Sequence, residues 1–221
     1  MNELLKNYNH IIWDWNGTLF DDVELCANIM NVLLTQESLP NISVQKYKSI
    51  FTFPVIDYYK IAGHTFEKKS FEVVGKQFMD EYELRKNNCL LYPGVTDLLT
   101  ELQRKNIKQY LLSAYEQNSL NNILNHFGIS NYFHYIVGLD NIYAGGKSHL
   151  AHDLASKIRS NGTAGNILLI GDTMHDYEVA KEINSYCILI SHGHQDEERL
   201  LKLKVTVVKD FNELKNLLKE L

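Results

Sequence analysis

His10-Ile11-Ile12-Trp13-Asp14-Trp15-Asn16-Gly17-Thr18-Leu19-Phe20-Asp21-Asp22 is the stretch that decides how the rest of the chain folds. Its apolar opening is that of a buried strand. A carboxylate, Asp14, arrives where the strand should end. Gly17 then allows a sharp backbone turn, and Thr18 adds a hydroxyl beside it. In an open α/β sheet, ligands bind in the crevice outside the carboxyl ends of the strands, which is where Asp14 would stand.

Downstream of Phe20 the pattern turns helical. Val23, Leu25, Cys26, Ile29, Met30, Leu33 and Leu34 recur at helical spacing, and Pro40 stops the run. Shorter helical patterns follow at Val44–Phe51 and Val55–Ala62. A longer one from about Phe66 to Arg85 carries Phe71, Val74, Phe78 and Tyr82 on one stripe. Four helices without an intervening strand point to a separate helical block. After Tyr92-Pro93-Gly94, strand and helix alternate. Strands are expected at Ile107–Ser113, Tyr135–Leu139, Asn166–Gly171, Tyr186–Ser191 and Val205–Val208, with helices at Ser119–Phe127, His149–Ile158, Met174–Ile183 and Phe211–Leu221. Alternation at this spacing implies parallel strands joined by right-handed crossovers. The fold class is therefore α/β: a doubly wound, Rossmann-like parallel sheet with an inserted all-helical domain. Residues 1–19 and 90–221 form the core, and 20–89 the insertion.

Three more strand ends carry polar chemistry. Ser113-Ala114 offers a hydroxyl and backbone N–H groups able to hold an anion. Asp172 follows the Asn166–Gly171 strand, and Asp176 lies one helical turn beyond it. Alone, such aspartates serve equally well as helix caps. Lys147, after Gly145-Gly146, precedes a helix; alone, it would be a surface charge.

Taken together, these positions resemble the ordered motifs of the haloacid dehalogenase superfamily. Asp14, Gly17, Thr18, Leu19 and Asp21 match the first motif, Asp-x-Asp-Gly-Thr-Leu-x-Asp, except that Asn16 replaces the second aspartate. Ser113 resembles the second motif, Lys147 the third, and Gly171-Asp172-x-x-x-Asp176 the fourth. The inserted helices are similar to the cap of the phosphoglycolate-phosphatase branch. The resemblance implies a Mg²⁺ site made by Asp14, Asp172 and the Asn16 backbone carbonyl, with Asp176 behind it. It implies that Asp14 is the nucleophile, and that Ser113, Ala114, Lys147 and Thr18 hold the phosphate. Such a donor set suits Mg²⁺, a hard cation that takes oxygen ligands. In the family, aspartate at position 16 handles the leaving-group proton, which an amide cannot do. Slow hydrolysis is the expected consequence, with a smaller deficit on aryl phosphates.

The leading expectation is a Mg²⁺-dependent phosphatase acting on a small phosphorylated metabolite. The alternatives are a weakly active member that binds a phosphate ligand or a protein, and a metal-free dehalogenase. A net charge of −5 gives no case for nucleic acid. Neither a signal peptide in Met1–Asn7 nor an apolar run near the roughly 18 residues of a membrane span is visible, so a cytoplasmic protein is expected. Three scattered cysteines suggest neither disulfides nor a zinc knuckle. His192 and His194 read as loop histidines rather than ligands, and His149 and His152 as surface residues. Lys48, Thr52 and Phe53 are candidates for facing the substrate. Phe51, Phe53, Tyr58 and Tyr59 read as the helical block's own interior.

Overall fold

The computed structural model describes residues 8–140, 146–160 and 166–218. The readings placed on Met1–Asn7, on Gly145 and on positions 219–221 lie outside these. Six parallel strands build the sheet: β1 (Tyr8–Trp13), β4 (Lys108–Glu116), β5 (Phe133–Leu139), β6 (Asn166–Gly171), β7 (Tyr186–Ile190) and β8 (Thr206–Val208). Their order is β5-β4-β1-β6-β7-β8, which puts β1 between β4 and β6. A strand buried on both faces must be apolar throughout, and Ile11, Ile12 and Trp13 are all fully buried.

The alternation of side chains across the sheet sorts them into two cores. Ile11 and Trp13 join Leu111, Leu168 and Ile170 on one face, covered by α5 (Val95–Arg104), α6 (Gln117–His126) and α10 (Phe211–Leu218). Ile12 joins Tyr110, Leu112 and Leu169 on the other, covered by α7 (Ser148–Ser160), α8 (Met174–Glu182) and α9 (Glu197–Leu201). Among the described residues no helix is long and apolar enough to cross a membrane, and all three cysteines are free.

No strand of this sheet comes from residues 20–89. That region holds α1 (Val23–Gln36), α2 (Val44–Ile50), α3 (Val55–Ala62) and α4 (Phe71–Arg85). Helix α4 starts five residues later than its apolar stripe suggests, because Ser70 in extended backbone is its N-terminal flanking residue. The two connections to the block pair with each other: β2 (Phe20–Asp21) runs antiparallel to β3 (Leu90–Leu91). Two-residue strands carry no periodic signal, so this pairing is invisible in the sequence. The apolar interior of the block, including Ile29, Met30 and Tyr47, is continuous with the sheet core through Trp15, Leu19 and Phe20.

Candidate active site

Strand β1 delivers Asp14 to the crevice. The Asp14 N–H donates to the Ile170 carbonyl at 2.9 Å, extending the pairing with β6 by one residue. The chain then turns at Gly17, with φ +73°, and a side chain there would overlap both Asp172 and His194. Only glycine fits this approach. The turn points Thr18 inward: its hydroxyl lies 3.1 Å from Asp14 Oδ2 and 2.9 Å from Asp172 Oδ1.

Lys147 also meets the carboxylates. Its ammonium pairs with Asp14, stands 2.7 Å from Asp176 Oδ1 and donates to the Leu112 carbonyl at 3.3 Å. Asp176 pairs with Lys147 through one oxygen and caps a helix through the other. Its Oδ2 accepts from the Asp172 and Thr173 N–H groups and the Thr173 hydroxyl, completing a capping box on α8. The sheet pairing of β4 with β5 is irregular between Leu112 and Glu116, so Ser113 and Ala114 sit within a bulge rather than after a strand. The Ser113 hydroxyl accepts from the Tyr115 N–H at 3.1 Å, and Ser113 and Ala114 line the same cavity as Asp14 and Lys147.

Asp14, Asp172 and Asp176 are all buried, with carboxylate oxygens within 4.8 Å of one another. Burial pushes the Asp14 and Asp172 carboxyls above their usual range, Lys147 and His194 respectively opposing the shift. Three carboxylates face one ammonium, an oxygen donor set with excess negative charge that would suit a hard divalent cation.

Asn16 does not extend into this cluster. Its amide donates to Asp22 Oδ2 and to the Tyr82 hydroxyl, each at 2.7 Å. Asp22 also accepts from Tyr82 at 2.8 Å and from the Gly17 N–H at 3.1 Å. His194 Nε2 stands 3.2 Å from Asp22 Oδ1, and its Nδ1 meets the Tyr47 hydroxyl at 2.8 Å. Burial disfavours charge on both partners, but their mutual attraction wins: Asp22 is held below the usual carboxylate range, and His194 is lifted to about 8. Asp22, Cys26 and His194 also lie within metal-ligating distance of one another, yet the Asp22 oxygens are already saturated by N–H and O–H donors. Asp22, Tyr82 and Tyr47 had no motif to announce them. His194 was visible only as a loop histidine, although its backbone N–H also donates to Asp172 Oδ2 at 2.6 Å.

His192 is a packing residue. It stacks on Tyr92 with ring centroids 3.6 Å apart, and its Nε2 lies 3.2 Å from the Thr18 carbonyl. Burial pushes its pKa down to about 4. Since the unfolded ring protonates below about 6.5, the unfolded state binds the extra proton between those values and stability falls as pH drops through that window. The loss is about 3 kcal/mol at full protonation. His192→Phe keeps the stacking, so its chemical-denaturation stability should decline less than wild type's from pH 6.5 to 4. Equal declines would assign the acid sensitivity elsewhere.

His149 and His152 are exposed on α7, as their spacing suggests. Lys48 turns away from the cavity to donate to the Ser191 and His192 carbonyls at 3.1 Å each, tying α2 to the loop after β7. Phe53 does face the cavity, with its ring 4.8 Å from that of His175. Phe51, Tyr58 and Tyr59 pack against one another, as an interior would. All three also line the cavity, so their assignment to the block's interior is half right.

The family model of haloacid dehalogenase-like hydrolases matches residues 11–190. A phosphoglycolate phosphatase of Caulobacter vibrioides is 23% identical over 85% of this chain and 81% of its own length. One of Pseudomonas fluorescens is 26% identical over 90% and 75%. A solved haloacid dehalogenase-like hydrolase of Streptococcus pneumoniae superposes with a TM-score of 0.76 at 18% identity, covering 95% of this chain and 97% of that one.

Proposed function

Because the chain belongs to the haloacid dehalogenase-like hydrolase family, we propose that it is a Mg²⁺-dependent phosphatase of a small phosphate monoester, working through an aspartyl phosphate on Asp14. The observation that carries this reading is the placement of Asp14. It is held by Lys147 and Thr18 at the end of the central strand, facing two further buried carboxylates. The related phosphoglycolate phosphatases share the reaction class by name.

The metal would be held by Asp14, Asp172 and the Asn16 backbone carbonyl, and would draw negative charge from the phosphoryl oxygens. Lys147, the Ser113 hydroxyl and the Ala114 N–H bind the same oxygens and orient phosphorus toward Asp14. An Asp14 oxygen forms the new bond to phosphorus as the ester P–O bond breaks, and the leaving oxygen departs with the electron pair. Water then attacks phosphorus, releasing phosphate and restoring the carboxylate. The helices of residues 20–89 serve as the cap over this crevice, with the β2–β3 pair as its base.

The test is phosphate release from an alkyl and an aryl phosphate with and without Mg²⁺. No Mg²⁺-stimulated release from either would overturn the reading. The slowing assigned to Asn16 has its own check. Asn16→Asp alone would set a second carboxylate where an amide now donates to Asp22 at 2.7 Å, and two carboxylates so close cannot both ionise. Exchanging the pair, Asn16→Asp with Asp22→Asn, keeps the hydrogen bond and returns an acid to position 16. General acid–base catalysis is worth about 10²–10⁴ in rate. The exchanged variant should therefore hydrolyse an alkyl phosphate at least about tenfold faster than wild type, the low side of that range. An unchanged or lower rate would show that Asn16 is not what limits turnover.

A further inference from the structure

We infer that the ester cleaved here carries an uncharged aromatic leaving group, so that the substrate is an aryl phosphate. The inference rests on the phosphatase reading and deepens it.

The cavity over Asp14 has a volume of about 160 Å³. A cavity of about 150 Å³ with apolar walls takes a benzene ring; because this one also borders Asp14, Ser113 and Lys147, a single ring is the largest leaving group that fits beside the phosphate. Opposite the phosphate-holding residues, its wall is built by the helical block, with Tyr47, Phe51, Phe53, Tyr58, Phe78 and Tyr82 contributing rings. Flat apolar walls favour a ring, which can stack or pack edge-on against them.

The charge of the cavity points the same way. Among the described lining residues Lys147 is the sole lysine or arginine, and it is already paired with Asp14 and Asp176. Of the two lining histidines, His194 is committed to Asp22 and Tyr47, and His175 lies between the Lys147 N–H and Glu178. Glu116 also lines the cavity, but its carboxylate caps α6 by accepting from the Asn118 and Ser119 N–H groups, so it offers no positive partner either. A leaving group bearing its own carboxylate, as phosphoglycolate does, would be buried here without a counter-charge, which is strongly unfavourable. The Tyr58 hydroxyl is buried and has no hydrogen-bond partner among the described residues, so the wall can accommodate a neutral hydrogen-bonding substituent.

Proton supply is the third observation. Asn16 is no acid, and both hydrogens of its amide are engaged by Asp22 and Tyr82. The Tyr82 hydroxyl proton is itself directed to Asp22. An alkoxide cannot depart readily without a proton. An aryl oxide, whose conjugate acid has a pKa near 10 like that of tyrosine, can. In the balanced step, an Asp14 oxygen bonds to phosphorus, the P–O(aryl) bond breaks, and the aryl oxide leaves with the electron pair, taking its proton later from solvent.

The experiment compares phenyl phosphate, benzyl phosphate and 2-phosphoglycolate with Mg²⁺, alongside calorimetric binding of phenylphosphonate and phosphonoacetate. For phenyl phosphate, kcat/KM should exceed that for phosphoglycolate by at least about a hundredfold, roughly 3 kcal/mol. Phenyl should exceed benzyl at least tenfold in kcat with similar KM, because both rings fit but only one leaves unprotonated. Phosphoglycolate turned over as well as phenyl phosphate would overturn the inference and leave the phosphatase reading standing. Equal kcat for benzyl and phenyl would overturn the aryl assignment. If no ester is hydrolysed, the phosphatase reading fails, and the phosphonates still decide the cavity: phenylphosphonate should bind at least tenfold tighter, and equal or weaker binding would overturn it.

Discussion

Asp14→Asn should lower phosphate release by about four to six orders of magnitude, the scale of loss seen when a catalytic nucleophile is removed. The substitution is nearly isosteric, and the Asp14 N–H remains bonded to the Ile170 carbonyl, so the strand end should keep its position. What disappears is the only carboxylate among the described residues that both pairs with Lys147 and touches Thr18. The readout that separates this from a binding defect is chemical. Wild type briefly mixed with ³²P-labelled substrate and quenched in acid should retain label on the protein, and Asp14→Asn should retain none. Labelled Asp14→Asn would move the nucleophile to another residue.

Asp172→Ala should cost about three orders of magnitude in rate and remove the response to Mg²⁺, since metal-ion catalysis supplies several kcal/mol. Without metal its effects on stability oppose one another: the variant loses a buried carboxylate whose charge burial disfavours, and it leaves the Thr18 hydroxyl and the His194 N–H without that acceptor. Added Mg²⁺ should raise the wild-type melting temperature by mass action and leave that of Asp172→Ala unmoved. A Mg²⁺-dependent rise in the variant equal to that of wild type would take Asp172 out of the metal site.

The architecture of the core was legible in the chain because local rules determine it. A short apolar run bounded by turn residues reads as a buried strand, so Ile11-Ile12-Trp13 placed Asp14 at a strand end, and Asn166–Gly171 did the same for Asp172. Lys147 and Asp176 stood out only through their resemblance to the family's ordered motifs, and the fold brings them with Asp14 and Asp172 to one crevice. Errors gathered at element ends, as at Ser113, where a bulge lets β4 continue to Glu116. Periodicity reports burial, and a bulge barely disturbs it.

The surroundings of Asn16 were decided by tertiary structure alone. Asp22, Tyr82 and His194 come from the residue before α1, the last turn of α4 and a loop beyond β7, and they meet through contacts spanning up to 172 residues. No spacing rule links them. The aromatic residues between 51 and 59 show the same limit from another side. A ring facing its own block's interior and a ring facing a cavity leave the same apolar signal, because both are withdrawn from water. Only the position of the block over the sheet determines which rings pack on one another and which face a ligand.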